Sequence, residues 1–402
     1  MKRSIEYVAD DIKGTVAISG SKSESNRLLL LQNIFPNILL KNLSNSDDTK
    51  HLVKALSSKD KIIDIGHAGT AMRFLTAYFS VKEGREIILT GSNRMQNRPI
   101  EILVEALRSI GADIQYVDKV GFPPLLIKGK NLTKKKLKIN GNVSSQYISA
   151  LLLIACSLEN GLEFELLGKI TSIPYLKMTL TLLNDLDVVT TWKDNIITVE
   201  PKKQIDNKVI TVESDWSSAS YFYSLVALSE KAEITLTSFK HNSIQGDSSL
   251  KEIYKHFGVI TKFEDGSIIL TKKDNSNLKP LNIDLINSPD LAQTVAVTCF
   301  GLGIACNLTG LHTLKIKETD RLVALYKELR KLGADIEVST ESLHLKASHK
   351  INRNIAIDTY NDHRMAMAFA PLAIKVPMTI NDAEVVTKSF TSFWTDFEGV
   401  LK

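Results

Sequence analysis

The chain has 402 residues, which is long enough for a large hydrophobic core and for two domains. Its 50 basic and 45 acidic residues leave a net charge of +5, a balance that argues against a general nucleic-acid-binding protein. No apolar run approaches the roughly 18 residues of a membrane span. The first residues, MKRSIEYVADDIKG, have no apolar core of the signal-peptide kind, so we expect a cytoplasmic protein without a membrane anchor.

Polar loops lead into apolar helices six times along the chain. Free backbone N–H groups and partial positive charge make a helix N-terminus a favourable place for an anion. Several such ends directed at one cleft would bind a ligand with many negative charges. The six loops are SGSKSESNR before Leu28, GHAGTAMR before Phe74, GNVSSQ before Tyr147, SDWSSAS before Tyr221, NSPDLAQ before Val295 and YNDHRMAM before Ala368.

A second, amphipathic type of helix alternates with the first and ends in a recurring helix-to-strand turn. The clearest copies begin at Pro99, Leu250 and Leu322, and weaker copies begin at Tyr175 and His51. Gly111 and Gly333 are placed to end two of these helices in the left-handed conformation. Strands such as GLEFELLG and KAEITLTSF follow the apolar helices.

This alternation predicts an α/β protein of six strand–helix–strand–helix–strand units, three in each of two domains. The polar stretch 200–215 is a candidate hinge, with 19–22 as the second crossing between domains. The alternative is an α/β protein whose elements alternate by chance. Cys156, Cys299 and Cys306 lie in apolar stretches without CxxC spacing, which favours buried thiols in a reducing compartment over a metal or redox site.

Candidate ligand-binding residues lie in the loops at the helix starts. Lys22 and Arg27 are five residues apart and do not share a helical face, but in a loop both can converge on one ligand. Gly69 permits close approach of a ligand, although a plain turn glycine is the simpler reading. Pro99 suits the first turn of a helix, which leaves Arg98 at the cap position or as a solvated loop arginine.

Acidic candidates are few beside these basic groups. Asp290 follows Pro289 and is either a site residue or only a helix N-terminal carboxylate. Glu318 lies in KETDR, which is either a functional helix start or a solvated charged face. The planar guanidinium of arginine can donate two parallel hydrogen bonds to a carboxylate or a phosphate, so the basic residues indicate an anionic ligand. Two carboxylates among many cations suggest proton transfer. The chain has no Walker loop, no GxGxxG after a strand, no HExxH and no Cys/His cluster, so we expect no metal and no cofactor.

Taken together, the motifs resemble the 5-enolpyruvylshikimate-3-phosphate synthase family. They occur in the family's order over nearly the whole chain, and the pair KETDR and YNDHRMAM is highly specific. The matching segments are GSKSESNR, GTAMRF, NRP, VSSQ, the serine–proline–tyrosine segment SIPY, SSASY, QGD, PD, KETDR, YNDHRMAM and the late Lys388.

The resemblance implies a two-domain inside-out α/β barrel of six βαβαββ units, with residues 1–20 and 213–402 in one domain and 21–212 in the other. It implies enolpyruvyl transfer from phosphoenolpyruvate to the 5-hydroxyl of shikimate 3-phosphate, in chorismate and aromatic amino acid biosynthesis. The two small molecules would be the partners of a cytoplasmic monomer that binds neither nucleic acid nor membrane, and the enzyme would be a glyphosate target.

The resemblance also implies a role for each matching residue. Asp290 would be the base for the 5-hydroxyl, Glu318 the proton shuttle at the methylene carbon, and Lys22 would touch both ligands. Shikimate 3-phosphate would be bound by Lys22, Ser23, Arg27, Ser144, Ser145, Gln146, Ser172, Tyr175, Asp290 and Lys317. Phosphoenolpyruvate would be bound by Lys22, Gly69, Arg98, Gln146, Arg321, Arg364 and Lys388, with Thr70, Arg73 and His363 in support.

The sequence departs from the family pattern at two positions, and two other functions are alternatives. His67 stands where the family usually has Asn, and Thr313 where an Asn commonly contacts shikimate. The sister enzyme, UDP-N-acetylglucosamine enolpyruvyl transferase, usually has a reactive cysteine in the loop that holds Arg98 here. A non-catalytic anion-binding or nucleic-acid-binding module is the other alternative, and the retained carboxylates and near-neutral charge argue against it.

Overall fold

The computed structural model describes residues 1–7, 11–274 and 278–401. The chain divides into two compact units. Unit 1 comprises Met1–Gly20 with Glu213–Lys402, and unit 2 comprises Ser21–Val212.

The described residues form thirteen α-helices and five short 3-10 helices. The α-helices are α1 (Lys22–Ile34), α2 (Asp47–Ser57), α3 (Gly69–Ser80), α4 (Asn93–Gln96), α5 (Glu101–Ser109), α6 (Ser145–Ala155), α7 (Ile173–Asn184), α8 (Trp216–Leu228), α9 (Leu250–Lys255), α10 (Ala292–Gly301), α11 (Arg321–Lys331), α12 (His363–Phe369) and α13 (Phe393–Gly399). Short 3-10 helices are Gly246–Ser249, Pro289–Leu291, His312–Ile316, Ala370–Ile374 and Ala383–Lys388.

The strands are short and alternate with the helices along the chain. They are β1 (Arg3–Ile5), β2 (Ile12–Val16), β3 (Ile38–Lys41), β4 (Ile62–Asp64), β5 (Glu86–Thr90), β6 (Asp113–Tyr116), β7 (Leu125–Lys128), β8 (Lys136–Asn140), β9 (Leu162–Leu167), β10 (Thr190–Lys193), β11 (Ile196–Val199), β12 (Lys208–Thr211), β13 (Ala232–Thr237), β14 (Val259–Glu264), β15 (Ser267–Lys272), β16 (Leu281–Asp284), β17 (Cys306–Thr309), β18 (Ile336–Val338), β19 (Leu343–Leu345), β20 (Ile355–Ile357) and β21 (Met378–Ile380).

Four of the six sheets in the described chain share one pairing pattern. In the sheet of β4 to β7, β4 pairs parallel with β5, and β7 lies antiparallel between β5 and β6. The sheets β8–β11, β16–β19 and β2 with β13–β15 repeat this order. Two parallel neighbouring strands need a crossover connection. In each of these four sheets a buried helix lies in the chain between the two parallel strands: α3, α6, α10 and α8. The other two sheets are smaller, β3 with β12 and β1 with β20 and β21. The predicted mixed α/β class is confirmed.

Buried helices supply much of the core of each compact unit. Nearly all residues of α3 and α6 are buried in unit 2, as are those of α8 and α10 in unit 1. A helix that is apolar on every side has to be buried, and its few hydroxyls then need partners. In unit 1 these partners include Thr298, whose hydroxyl lies 2.8 Å from Ser224 Oγ. The strands alternate buried and accessible residues, so one face of each sheet packs on the helices.

Helix ends follow the sequence in part. Gly111 and Gly333 have φ values of +110° and +98°, which confirms the predicted left-handed turns after α5 and α11. Two boundaries were wrong. Lys22 and Arg27 lie inside α1 rather than in a loop, Lys22 as the first residue of the helix and Arg27 in its second turn. Helix α5 begins at Glu101 with Ile100 at its N-cap, so Arg98, the predicted cap, lies two residues before the observed one.

The three cysteines are buried and free, as predicted. Burial raises the pKa of the Cys156 thiol to about 12, so that thiol stays protonated. Among the residues with described positions, no helix is both long and apolar enough to cross a bilayer.

Candidate active site

In unit 2, the first turn of α1 carries a lysine paired with a buried carboxylate. Lys22 Nζ lies 3.3 Å from Asp48 Oδ2, and Asp48 is in the first turn of α2. Asp48 is nearly inaccessible to solvent, and its Oδ1 has no hydrogen-bond partner in the described parts of the chain. This pairing fixes the direction of the Lys22 side chain, and nothing in the sequence pattern had pointed to Asp48.

Arg27, one turn further along α1, is almost fully buried. Its Nε donates to Thr179 Oγ1 at 2.8 Å, and Nη2 donates to Ser149 Oγ at 2.9 Å. Further bonds go from Nη1 to the Ser23 carbonyl at 2.9 Å and from Nη2 to the Tyr175 carbonyl at 3.5 Å. Burial lowers the pKa of Arg27 to about 10, so the guanidinium is still charged at neutral pH. These contacts use four of its five N–H groups and leave one for a ligand.

The start of α3 and the loop before α5 meet at Gly69. A Cβ on Gly69 would lie 2.4 Å from Arg98 Nη1, so only a glycine leaves room for this arginine. Arg73 donates to the Gly69 carbonyl and to the Pro99 carbonyl, at 3.1 Å in each case. Arg73 is buried and therefore holds the two segments together rather than facing a ligand itself. Burial, and to a smaller extent Arg98, lowers the pKa of Arg73 to about 10.

The predicted serines and Gln146 lie at the starts of α6 and α7. Ser144 is the N-cap of α6, and its Oγ accepts a 3.4 Å bond from the Gln146 backbone N–H. The Gln146 side chain donates to Thr70 Oγ1 at 3.3 Å, which joins α6 to α3. Ser172, the N-cap of α7, has the left-handed φ of 54° and is buried. Ser145 and Tyr175 are partly accessible.

In unit 1, Arg321 is the centre of a cluster of charged residues. It is the first residue of α11 and is only 2% exposed. Its Nη1 lies 2.8 Å from Asp290 Oδ1, its Nη2 2.8 Å from Glu318 Oε2, and its Nε 2.7 Å from Asp362 Oδ2. Burial lowers the pKa of Arg321, but these three carboxylates outweigh it and raise the pKa above its usual value. The guanidinium is thus a permanently charged centre that fixes three acids.

Asp290 lies between several cations. Besides Arg321, its carboxylate is 2.9 Å from Arg364 Nη2 and 3.5 Å from Lys317 Nζ. Burial raises the pKa of Asp290, but Arg364, Lys317 and Arg321 together hold the pKa well below its usual range. Asp290 is therefore ionised throughout the neutral pH range, as a base or hydrogen-bond acceptor has to be.

Glu318 and Lys388 complete this cluster. Lys388 ends the 3-10 helix Ala383–Lys388, is mostly buried, and donates to Glu318 Oε1 at 2.9 Å. Each oxygen of Glu318 is thus bound by a different cation, Lys388 on one side and Arg321 on the other. The predicted residues Asp290, Lys317, Glu318, Arg321, Arg364 and Lys388 are brought together by direct contacts.

Three residues of this cluster were missed as site residues. Asp362 caps α12 by accepting from the Arg364 backbone N–H at 2.9 Å and also binds Arg321, so it joins two helix starts. Its place before His363 and Arg364 was a signal that could have been used. Ser217, at the start of α8, accepts from Arg364 and donates to Asp247 in the QGD segment, and no spacing in the sequence links these two segments.

Three other positions singled out in the sequence, His363, His67 and Thr313, differ in their burial. His363 is buried at the start of α12, with Nδ1 3.7 Å from Asp362 Oδ1. His67 is exposed, and its ring centroid lies 6.1 Å from that of His51. The hydroxyl of Thr313 is buried with no partner among the residues placed by the structure. Within those residues, no three His, Cys, Asp or Glu side chains are arranged to hold a metal ion.

A mixed α/β fold of this kind is shared with solved enzyme structures. The structure of EPSP synthase from Acinetobacter baumannii superimposes with a TM-score of 0.80 over 99% of this chain and 98% of that one, at 21% sequence identity. This similarity shows the fold.

Sequence relatives identify the family. The family model for EPSP synthase (3-phosphoshikimate 1-carboxyvinyltransferase) matches residues 53–397. The 3-phosphoshikimate 1-carboxyvinyltransferase of Bacteroides fragilis (strain YCH46) is 46% identical over 96% of this chain and 94% of its own length. That of Haemophilus influenzae (strain PittEE) is 36% identical over 97% and 96%. The chain belongs to the EPSP synthase family.

Proposed function

We propose that this protein transfers the enolpyruvyl group of phosphoenolpyruvate to the 5-hydroxyl of shikimate 3-phosphate, releasing phosphate, in aromatic amino acid biosynthesis. The observation that supports this most strongly is the Arg321 cluster. It holds two carboxylates, Asp290 and Glu318, in fixed positions among Lys317, Arg364 and Lys388. Such a cluster can bind a small anion and move protons beside it.

Phosphoenolpyruvate carries a carboxylate and a phosphate, and unit 1 offers several buried cations for them. We assign Arg321, Arg364 and Lys388 to this ligand, with Gly69, Arg98, Gln146 and Lys22 from unit 2. Without ligand, Arg364 and Lys388 are bound to Asp290 and Glu318, so the ligand has to share or replace these ion pairs. Each charge-assisted hydrogen bond to the ligand would contribute roughly 1.5–3 kcal/mol.

Shikimate 3-phosphate is assigned to the polar helix starts of unit 2. Its phosphate would be bound by Ser23, Ser144, Ser145, Ser172 and the remaining N–H of Arg27. The bonds from Arg27 to Thr179 and Ser149 hold the guanidinium at this place, so little conformational entropy is lost when the phosphate binds. Lys22, Gln146, Tyr175, Asp290 and Lys317 complete the assigned contacts, with Thr70, Arg73 and His363 in support.

The reaction is an addition followed by an elimination. Glu318 has to enter the addition step protonated, and as the 5-hydroxyl oxygen bonds to C2 of phosphoenolpyruvate, Glu318 gives this proton to C3. The attacking oxygen becomes strongly acidic at this point, so a weak base such as ionised Asp290 is sufficient to accept its proton. Glu318 then removes a proton from C3 while the bond from C2 to the phosphate oxygen breaks. Lys22 and the arginines stabilise the departing phosphate.

We also propose a domain organisation, a cellular location and an oligomeric state. We assign residues 1–20 and 213–402 to one domain and 21–212 to the other, each an inside-out barrel of three βαβαββ units. The buried helices and the repeated strand order support this assignment. We further propose a cytoplasmic monomer that needs neither metal nor cofactor. Buried free thiols fit a reducing compartment.

A phosphate-release assay with both substrates tests the proposal. Wild-type protein should release one phosphate per enolpyruvyl product identified by mass, and EDTA should not change the rate. Asp290→Asn and Glu318→Gln should each lower the rate by roughly 10²–10³-fold. Release with UDP-N-acetylglucosamine in place of shikimate 3-phosphate would favour the sister reaction. Folded wild-type protein that releases no phosphate with shikimate 3-phosphate would refute the proposal.

A further inference from the structure

The start of α8 has no ligand in the proposed function, yet its side chains lie against the charged cluster. Ser217 is the second residue of α8 and is partly buried. Its Oγ accepts a hydrogen bond from Arg364 Nη2 at 3.2 Å and donates to Asp247 Oδ2 at 2.5 Å. The same Nη2 of Arg364 donates to Asp290 Oδ2 at 2.9 Å. A continuous chain of contacts therefore runs from Asp247 through Ser217 and Arg364 to Asp290.

Asp247 is an unusual end for this series of contacts, because it is a buried acid that forms no ion pair with a cation of the described residues. It lies in the 3-10 helix Gly246–Ser249 and is 7% exposed. Its Oδ1 has no hydrogen-bond partner within the described residues. An ionised carboxylate buried in this way is costly, whereas a protonated one is much less so.

We propose that Ser217 and Asp247 are positioning residues for Arg364, and that anion binding at Arg364 is coupled to the protonation of Asp247. The inference rests on the proposed function in assigning Arg364 to phosphoenolpyruvate. Ser217 and the Asp290 carboxylate both accept from Nη2 of Arg364, and the Asp290 carbonyl accepts from Nη1 at 3.4 Å, so these contacts fix the plane of the guanidinium. Asp247 sets how much positive charge Arg364 offers to the ligand.

The charges around Asp247 give the sign of this coupling. Burial and, to a smaller extent, Asp290 raise the pKa of Asp247, Arg364 and the Ser217 hydrogen bond oppose the rise, and the net pKa is about 7. Asp215, before α8, adds a smaller increase. A phosphoenolpyruvate carboxylate at Arg364 brings another negative charge and favours the protonated acid. Ligand affinity should therefore fall as the pH rises through 7, by at most about tenfold per pH unit for one proton.

Asp247→Asn tests the coupling, because asparagine has the shape of the protonated acid and cannot ionise. The KM for phosphoenolpyruvate is measured from pH 6 to pH 9 in wild type and variant, so that ionisation of the substrate itself cancels in the ratio. We expect the wild-type KM to rise relative to that of the variant above pH 7. Parallel profiles would overturn the coupling.

Ser217→Ala tests the positioning role. It should raise the KM for phosphoenolpyruvate by roughly 3- to 10-fold, with little change in the KM for shikimate 3-phosphate. Ser224→Ala, which removes a buried hydroxyl further along the same helix, is the matched control and should leave both KM values unchanged. An unchanged phosphoenolpyruvate KM in Ser217→Ala would overturn this part.

Infrared difference spectroscopy separates failure of this inference from failure of the proposed function. Asp247 should give a carboxylic-acid carbonyl band that titrates near pH 7 and is lost in Asp247→Asn. This band needs no turnover, so it is informative even if no phosphate is released. Its absence from wild type at pH 5 would overturn the inference, while phosphate release alone decides the proposed function.

Discussion

Arg321 Nη1 lies 2.8 Å from Asp290 Oδ1, and the other terminal nitrogen of the same guanidinium lies 2.8 Å from Glu318 Oε2. One buried side chain thus fixes both carboxylates that we assign to proton transfer. Their relative position depends on the planar fork of arginine, because each acid occupies its own N–H direction. Asp362, on Nε, holds the fork itself in place. The relative position of the two acids is therefore set by side chains of the protein itself.

Replacing Arg321 by lysine should show how much this organisation contributes. Lysine keeps the charge but cannot bind three carboxylates in one plane, so we expect kcat/KM to fall by roughly 10²–10³-fold. Urea unfolding should also show a loss of stability, since buried acids lose their partners. Arg330→Lys, at an exposed position on the same helix, is the control. A kcat/KM within threefold of wild type would show that the charge alone suffices.

Asp290 should make a contribution to stability that depends on pH in a defined direction. Its pKa is well below normal in the folded protein, because nearby cations outweigh burial. The contribution is then fully present above the unfolded pKa of about 4 and is lost as the pH falls further. The difference in unfolding free energy between wild type and Asp290→Asn should be largest at neutral pH and shrink near pH 3. A difference that grows on acidification would contradict this assignment of charges.

Thr179 offers a test of how Arg27 is held. Thr179→Val keeps the shape but leaves the buried Nε of Arg27 without its acceptor, which should destabilise the protein by about 1–3 kcal/mol. We also expect a higher KM for shikimate 3-phosphate, because the guanidinium is less well fixed. Thr181→Val, at a partly buried position on the same helix, is the control. Equal unfolding free energies for the two variants would exclude this role.

The sequence predicted helices, their order and several of their ends, because these depend on local patterns. Gly111 and Gly333 were recognisable, since a left-handed turn after a helix favours glycine whatever surrounds it. Contacts between distant segments carry no such signal. Thr179 is far from Arg27 in the chain, as Asp247 is from Ser217, and each pair meets only because the helices pack together. The family resemblance named the charged residues, whereas the hydroxyls and acids that hold them needed coordinates.

The last prediction concerns Gly69, whose lack of a side chain leaves room for the Arg98 guanidinium. A Cβ on Gly69 would lie 2.4 Å from Arg98 Nη1 and 3.1 Å from its Cζ, so Gly69→Ala has to displace the guanidinium. The arginine end is flexible, so stability should change little while the KM for phosphoenolpyruvate rises by roughly tenfold, about 1.4 kcal/mol. Glyphosate inhibition should weaken as well, in keeping with the expected glyphosate-sensitive pocket.

A double-mutant cycle makes this prediction specific. If Gly69→Ala acts by moving Arg98, it should have almost no further effect on the KM in an Arg98→Ala background. Gly399→Ala, where an added Cβ meets open space, is the control for replacing a helical glycine and should leave the KM unchanged. Additive effects of Gly69→Ala and Arg98→Ala on the KM would contradict this explanation. They would mean that the added methyl group obstructs the ligand directly, and that moving the Arg98 guanidinium away from the methyl group does not affect binding.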